Sequence, residues 1–174
     1  MRLAFFLPVF ALLLNGCAGY QIGPVKPKFM GEIRTLAVPT FKNNTLEPRV
    51  EVLLATALIK QFQQDGTYQI ESEKSADAIV IGTLERIERR PSRSVRGNTL
   101  QTREYTLELR CRLEIVDRVT GAVIDGRAVT GVTSFFVSGS DSIASDVNQD
   151  ERQAIPLAAE DAAVQYVSLV SEGW

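Results

Sequence analysis

The sequence predicts an α+β domain: a two-layer sandwich with two helices packed on one face of a mostly antiparallel, four- to five-stranded sheet. Three observations predict it. From Arg103 to Asp117, Tyr105, Leu107, Leu109, Cys111, Leu113 and Ile115 alternate with Thr106, Glu108, Arg110, Arg112 and Glu114. That period of two marks a strand with one covered and one polar face. Two other stretches, after Pro48 and after Gln149, carry apolar residues at helical spacing. The resulting order is strand, helix, three or four strands, helix. Two helices on one face is its simplest packing, and it leaves the other face free.

Met1-Arg2 supply a short positive end, and Leu3 to Leu14 form a nearly unbroken apolar run. It is shorter than the roughly 20 residues a bilayer-spanning helix needs. A basic start, a short apolar centre and small residues at the end predict a removable signal peptide over 1–16. Leu14-Asn15-Gly16-Cys17 resembles the bacterial lipoprotein signal, in which the cysteine becomes the first mature residue and its thiol and amine are acylated, palmitate being one such chain. Asn15 departs from the small apolar or hydroxyl residue usual there. Two or more acyl chains anchor a protein stably to a membrane. The lipidation site expected is therefore Cys17. Ala18 follows it, where Asp would resemble an inner-membrane retention signal.

Residues 17–32, with Gly19, Gly23, Pro24 and Pro27, read as a lipidated tether, and 33–174 as a single α+β domain. Ile33 to Val38 is a short strand ended by Pro39, and "TFKNNTLEP" a loop in which Asn43 and Asn44 make a structural turn. Pro48 suits a helix first turn. Val50, Leu53, Leu54, Ala57, Leu58 and Phe62 then run to a stop at Asp65-Gly66. "TYQIE" is a brief extended segment, and Ala78 to about Arg90 a longer one. Gly82 is placed at a bulge there, because the apolar alternation slips. Thr120-Gly121 turns into a strand from Ala122 to about Val137. Residues 138–148 read as a small polar loop, and roughly Gln149 to Ser171 as the second helix. Pro156 is expected in its first turn or at a kink near its start. Phe135 and Phe136 end a strand, one ring available to face outward.

Composition narrows the chemistry. The chain of 174 residues has no histidine and two cysteines, and carries no Gly-rich phosphate loop and no Gly-x-Ser-x-Gly. Imidazole or multi-thiolate metal sites are excluded, and no carboxylate spacing points to acid–base catalysis. The reading is of a protein that is not an enzyme and uses no cofactor. Once Cys17 is the mature terminus, Cys111 is a lone thiol and behaves as a small buried apolar group. The strongest local feature is "RIERRPSRSVRGNTLQTR", where Arg86, Arg89, Arg90, Arg93, Arg96 and Arg103 face only Glu88 on a chain of net charge −2. Arginine's planar fork engages phosphate or carboxylate bidentately. These six are the candidate ligand- or partner-binding residues. The bland alternative is a solvated loop that protects a strand edge. Nucleic acid is excluded as a partner, since the loop lacks interleaved aromatics and the chain is exported.

"CAGYQIG", followed by "IRTLAVPTFKNNTLEPRVEVLLATALIKQF", resembles the LPS-assembly lipoprotein family, the outer-membrane partner of the β-barrel that inserts lipopolysaccharide. "ADAIVIGTLERI" and "ERQAIPLAAEDAAVQYV" are similar to the same family at matching positions. The resemblance implies an outer-membrane lipoprotein facing the periplasm or barrel lumen. There it would plug and assemble with the lipopolysaccharide-translocating β-barrel and bind lipopolysaccharide during delivery to the cell surface. The chain ends at Trp174, without the longer polar tail some relatives carry. "LAVPTFKNNT" also resembles exported lipoproteins that activate peptidoglycan synthases, which is the alternative reading. The tether weighs against it, since about fifteen residues at ~3.5 Å each reach only about 50 Å.

Overall fold

A computed structural model describes residues 26–93, 102–138 and 143–172, with side chains described for 26–92, 104–136 and 151–172. The expected signal peptide, the lipidation site Cys17 and most of the tether lie outside the described residues. The strands are β1 (Thr35–Ala37), β2 (Lys42–Asn43), β3 (Gln69–Ile70), β4 (Ala78–Arg93), β5 (Thr102–Asp117) and β6 (Val123–Ser138). The helices are α1 (Val50–Asp65) and α2 (Ile143–Ser171). All six strands join one sheet in the order β3-β1-β4-β5-β6, with β2 also on β4. The fold class is the one expected, with one refinement: β1, β2 and β3 pair in parallel, so the sheet is mixed.

β5 organises the core as its alternation requires. Leu107, Leu109, Cys111, Leu113 and Ile115 are buried beneath the helices, while Arg110 and Arg112 on the opposite face are exposed. The helices form one layer and run in the same direction. Lys60 of α1 pairs with Glu160 of α2 at 3.1 Å, and the Ser171 hydroxyl donates to Asp65 at 2.9 Å where both helices end. α2 packs through small residues, Ala154, Ala158, Ala159, Ala162 and Ala163, all buried. Gly131 of β6 completes this fit. A Cβ there would lie 1.9 Å from the Ala158 carbonyl oxygen, so no other residue fits without moving the helix backbone.

Local chemistry fixes the ends. α1 stops at Gly66, left-handed at φ 74°, whose N–H donates to the Phe62 carbonyl at 3.0 Å, as the Asp-Gly signal implies. Pro48 lies in the turn before α1, and Arg49 takes a left-handed φ of 72°. The Asn43 turn is structural: its Oδ1 accepts from the Thr45 N–H at 2.8 Å, and its Nδ2 donates to the Glu47 carbonyl and to Glu51, both at 2.7 Å. Asp77 accepts from the Arg34 and Thr35 amides at 2.9 and 3.0 Å, which holds its carboxyl below the ordinary range.

Four expectations are corrected. Gly82 is not a bulge: it pairs in register with Leu113, and its missing side chain makes room for the Phe41 ring, 2.4 Å from where a Cβ would sit. The slip in alternation belongs to Glu85, the unmatched residue between Leu84 and Arg86. Residues 143–148 are helix rather than loop, and Pro156 therefore lies inside α2, not in its first turn. "TFKNNTLEP" includes the short strand β2. Phe135 is buried and stacks on Tyr105 at 5.6 Å between centroids, while Phe136 is 58% exposed.

Replacing Gly131 with alanine forces a clash with backbone, which flexible neighbours cannot relieve. Overpacking of this kind costs about 1–3 kcal/mol. We expect Gly131→Ala to lower the urea unfolding midpoint correspondingly; an unchanged midpoint would show that α2 does not sit this close.

Candidate functional site: the open face of the sheet

The bulge at Glu85 decides which arginines of β4 point where. Before it, Val80 and Leu84 point to the helices; after it, Ile87 and Arg89 do, and Arg86, Glu88 and Arg90 pass to the open face. There the register sets like charges directly opposite one another: Arg86 faces Arg110, and Glu88 faces Glu108. Like pairs across strands are unfavourable, and the attraction comes instead from diagonal and same-strand contacts. Arg86 Nε lies 2.8 Å from Glu88, and Arg90 Nη2 lies 2.6 Å from Glu88 and 3.4 Å from Glu108. Glu85 accepts from Arg112 Nε at 3.0 Å and lies 3.4 Å from Arg110. The hydrogen bond from Arg90, aided by the fields of Arg86, Arg90 and Arg110, lowers the Glu88 pKa.

Arg86, Glu88, Arg90, Glu108, Arg110 and Thr130 line a shallow depression of about 80 Å³. These arginines are half or more exposed. Exposed ion pairs contribute only about 0–1 kcal/mol each. Such a surface holds guanidinium groups in position yet gives them up cheaply to a phosphate or carboxylate on a ligand.

Arg89 is placed differently from its neighbours. It contacts Glu47, 2.6 Å away before α1, and Glu151 of α2, whose side chain is nearly fully buried. The bond to Glu151 raises the Arg89 pKa further. One side chain thus ties β4 to α2 and to the turn that leads into α1. Of the other candidates, Arg93 and Arg103 end β4 and β5, paired in register with Glu104 and Val137. Their side chains, and Arg96 entirely, lie outside the described residues. Arg110, Arg112, Glu85 and Glu108 are absent from the candidates that the sequence singles out. The alternation of β5 puts three of them on the polar face, but the charge density of the hairpin outweighs that signal.

Cys111 has the expected character: burial pushes its thiol pKa up to about 12. Tyr68 donates to the Val170 carbonyl at 2.8 Å, and burial raises its pKa to about 12. Among the described residues there is no cluster of metal-ligating side chains, and no helix is long and apolar enough to cross a membrane.

Among the described residues, a helix layer on one side and an uncovered sheet lined with paired charges on the other define an α+β sandwich that presents a polyionic face. Solved structures share this fold. A neuraminyllactose-binding hemagglutinin homolog from Helicobacter pylori is 14% identical, covering 88% of this chain and 90% of its own, with TM-score 0.53. A Xanthomonas campestris protein is 13% identical over 87% and 90%, TM-score 0.51. A minor lipoprotein from Acinetobacter baumannii is 17% identical over 81% and 94%, TM-score 0.50. At these identities the likeness shows the fold alone. No curated protein matches the chain. The lipopolysaccharide-assembly model, LptE, matches residues 33–168, and the chain belongs to that family.

Removing Arg89 strands the Glu151 carboxylate beside the core. Because Arg89 is partly exposed, the cost is nearer that of one charged hydrogen bond, about 1.5–3 kcal/mol, than of a fully buried pair. Arg89→Ala and Glu151→Ala should each destabilise, and the double variant by clearly less than their sum in a urea-denaturation cycle. Additive effects would dissolve the tie.

Proposed function

We propose that this chain is a non-catalytic outer-membrane lipoprotein, anchored through acyl chains on Cys17. It assembles with and plugs the β-barrel that translocates lipopolysaccharide, and binds lipopolysaccharide on its way to the cell surface. One observation carries the reading: a family match across nearly the whole folded domain. The open face supports it, because Arg86, Arg90 and Arg110 converge there on a depression of suitable chemistry for phosphate or acidic sugar. Arg93, Arg96 and Arg103, the remaining candidates, add positive charge to the same stretch of sequence. Arg89 acts from beneath, by holding β4 against the helices. Carbohydrate and lipid would be recognised through these charges, and the barrel through the uncovered sheet and its loops, with electrostatic steering of the encounter.

Two measurements test this. From detergent-solubilised outer membranes the wild type should co-purify with a large β-barrel, and Cys17→Ala should do so in much lower yield. In low salt, Arg86→Ala with Arg90→Ala should raise the Kd for lipopolysaccharide by about tenfold. A charged hydrogen bond is worth about 1.5–3 kcal/mol, and about 1.4 kcal/mol is tenfold. Absence of a barrel partner overturns the assembly role, and an unchanged binding curve overturns the role of the open face.

A further inference from the structure

β6 is the outermost strand on its side of the sheet and runs for 16 residues. An edge strand presents unpaired N–H and C=O groups that can template pairing with another chain. Proteins blunt such edges with charges, proline, bulges or short length. From Thr130 to Ser138, "TGVTSFFVS", β6 has no charge and no proline, and is rich in residues that favour strands. Two copies brought together antiparallel over this stretch would meet no like charges. The contact is self-complementary and would close as a two-fold dimer. By its own sequence this strand invites a second copy of itself.

α2 interrupts the invitation. Asp161 Oδ2 accepts the outward N–H of Val132 at 2.8 Å, and Gln165 Nε2 donates to the outward carbonyl of Thr130 at 3.2 Å. Gln165 also donates to the same Asp161 oxygen at 2.8 Å, which fixes the two side chains together. One supplies an acceptor and the other a donor, as a neighbouring strand would. The close approach at Gly131, between the two capped residues, is what brings the helix within reach. We propose that Asp161 and Gln165 form an edge lock, occupying the pairing groups of β6 and keeping that strand from joining the β6 of a second copy. The alternation of an antiparallel ladder sends the N–H groups of Ser134 and Phe136 to the same outer side. Beyond the lock β6 continues from Thr133 to Ser138, about the length of a short strand, with Ser134 and Phe136 in the outward register. Displacing the lock would add the pairing groups of Thr130 and Val132 and extend the uncharged run to the nine residues Thr130–Ser138.

The test compares the full chain in detergent as wild type, as Asp161→Ala/Gln165→Ala, and as that pair combined with Val132→Lys. Alanine keeps the helix propensity of α2. Val132 lies on the open face, 44% exposed, so lysine there spares the core yet puts charge on the pairing strand. By sedimentation velocity the wild type should be monomeric, the double variant should shift toward twice the mass, and the lysine should restore the monomer. A folded double variant that stays monomeric overturns the lock. So does a dimer that survives Val132→Lys, or a wild type that dimerises equally. Hydrogen exchange of the wild type decides the matter even if the double variant misfolds. The Val132 amide should exchange at least tenfold more slowly than those of Ser134 and Phe136, and equal rates would remove the proposal.

Discussion

The seating of α2 on the sheet at Gly131 is the constraint on which the remaining features depend. Helix backbone meets strand backbone there, with the Ala158 carbonyl where any Cβ would need to be. That approach is available only because the facing stripe of α2 is alanine. Once α2 lies this low, its larger residues, Tyr166, Val167 and Val170, close the core over β5 and against α1. The same position brings Glu151 to Arg89 and Asp161 to the edge of β6. With both helices on one side, no described residue covers the other side of the 16-residue strands β4 and β5, and its side chains need not be apolar.

The bare face is electrostatically unusual. Opposite charges placed directly across strands would have been the simplest stabilising arrangement. Here Arg86 faces Arg110 and Glu88 faces Glu108, and the balance is recovered along and between rows. The arginines are consequently paired but exposed, which holds them oriented while tying up little free energy. Arg89, one residue away in sequence, has the opposite fate, because a single unmatched residue at Glu85 turns it inward. A run of arginines that looks uniform along the chain is thus divided by one bulge between an exposed charged face and a structural tie.

How much of this was legible in the sequence depends on the physics behind each element. β5 was readable because burial on one side writes a period of two, and Gly66 because a left-handed helix stop favours glycine. Asn43 was readable as a turn residue because its side chain can accept from a backbone N–H two residues on, here that of Thr45. The start of α2 was not, since Ile143, Ala144 and Val147 among polar neighbours are too few to reveal a helical stripe. Gly82 and Gly131 look alike as interruptions of strands, yet each answers to a partner distant in sequence, Phe41 and Ala158. Strands as short as β2 and β3 carry too few residues to show a pattern, so their parallel pairing was invisible. The site was half legible: the charge was plain, but its division between two faces required the register.

Cys111 and Arg112 are sequence neighbours on opposite faces of β5, and their accessibility measures directly whether one side is sealed and the other open. In a Cys17→Ser chain carrying Arg112→Cys, a soluble thiol reagent should modify the introduced thiol at the rate of a free one. Cys111, buried with its pKa raised to about 12, should react only as fast as the whole domain unfolds. Rapid modification of both thiols would mean that the helices do not seal their face, and protection of both would mean that the opposite face is covered.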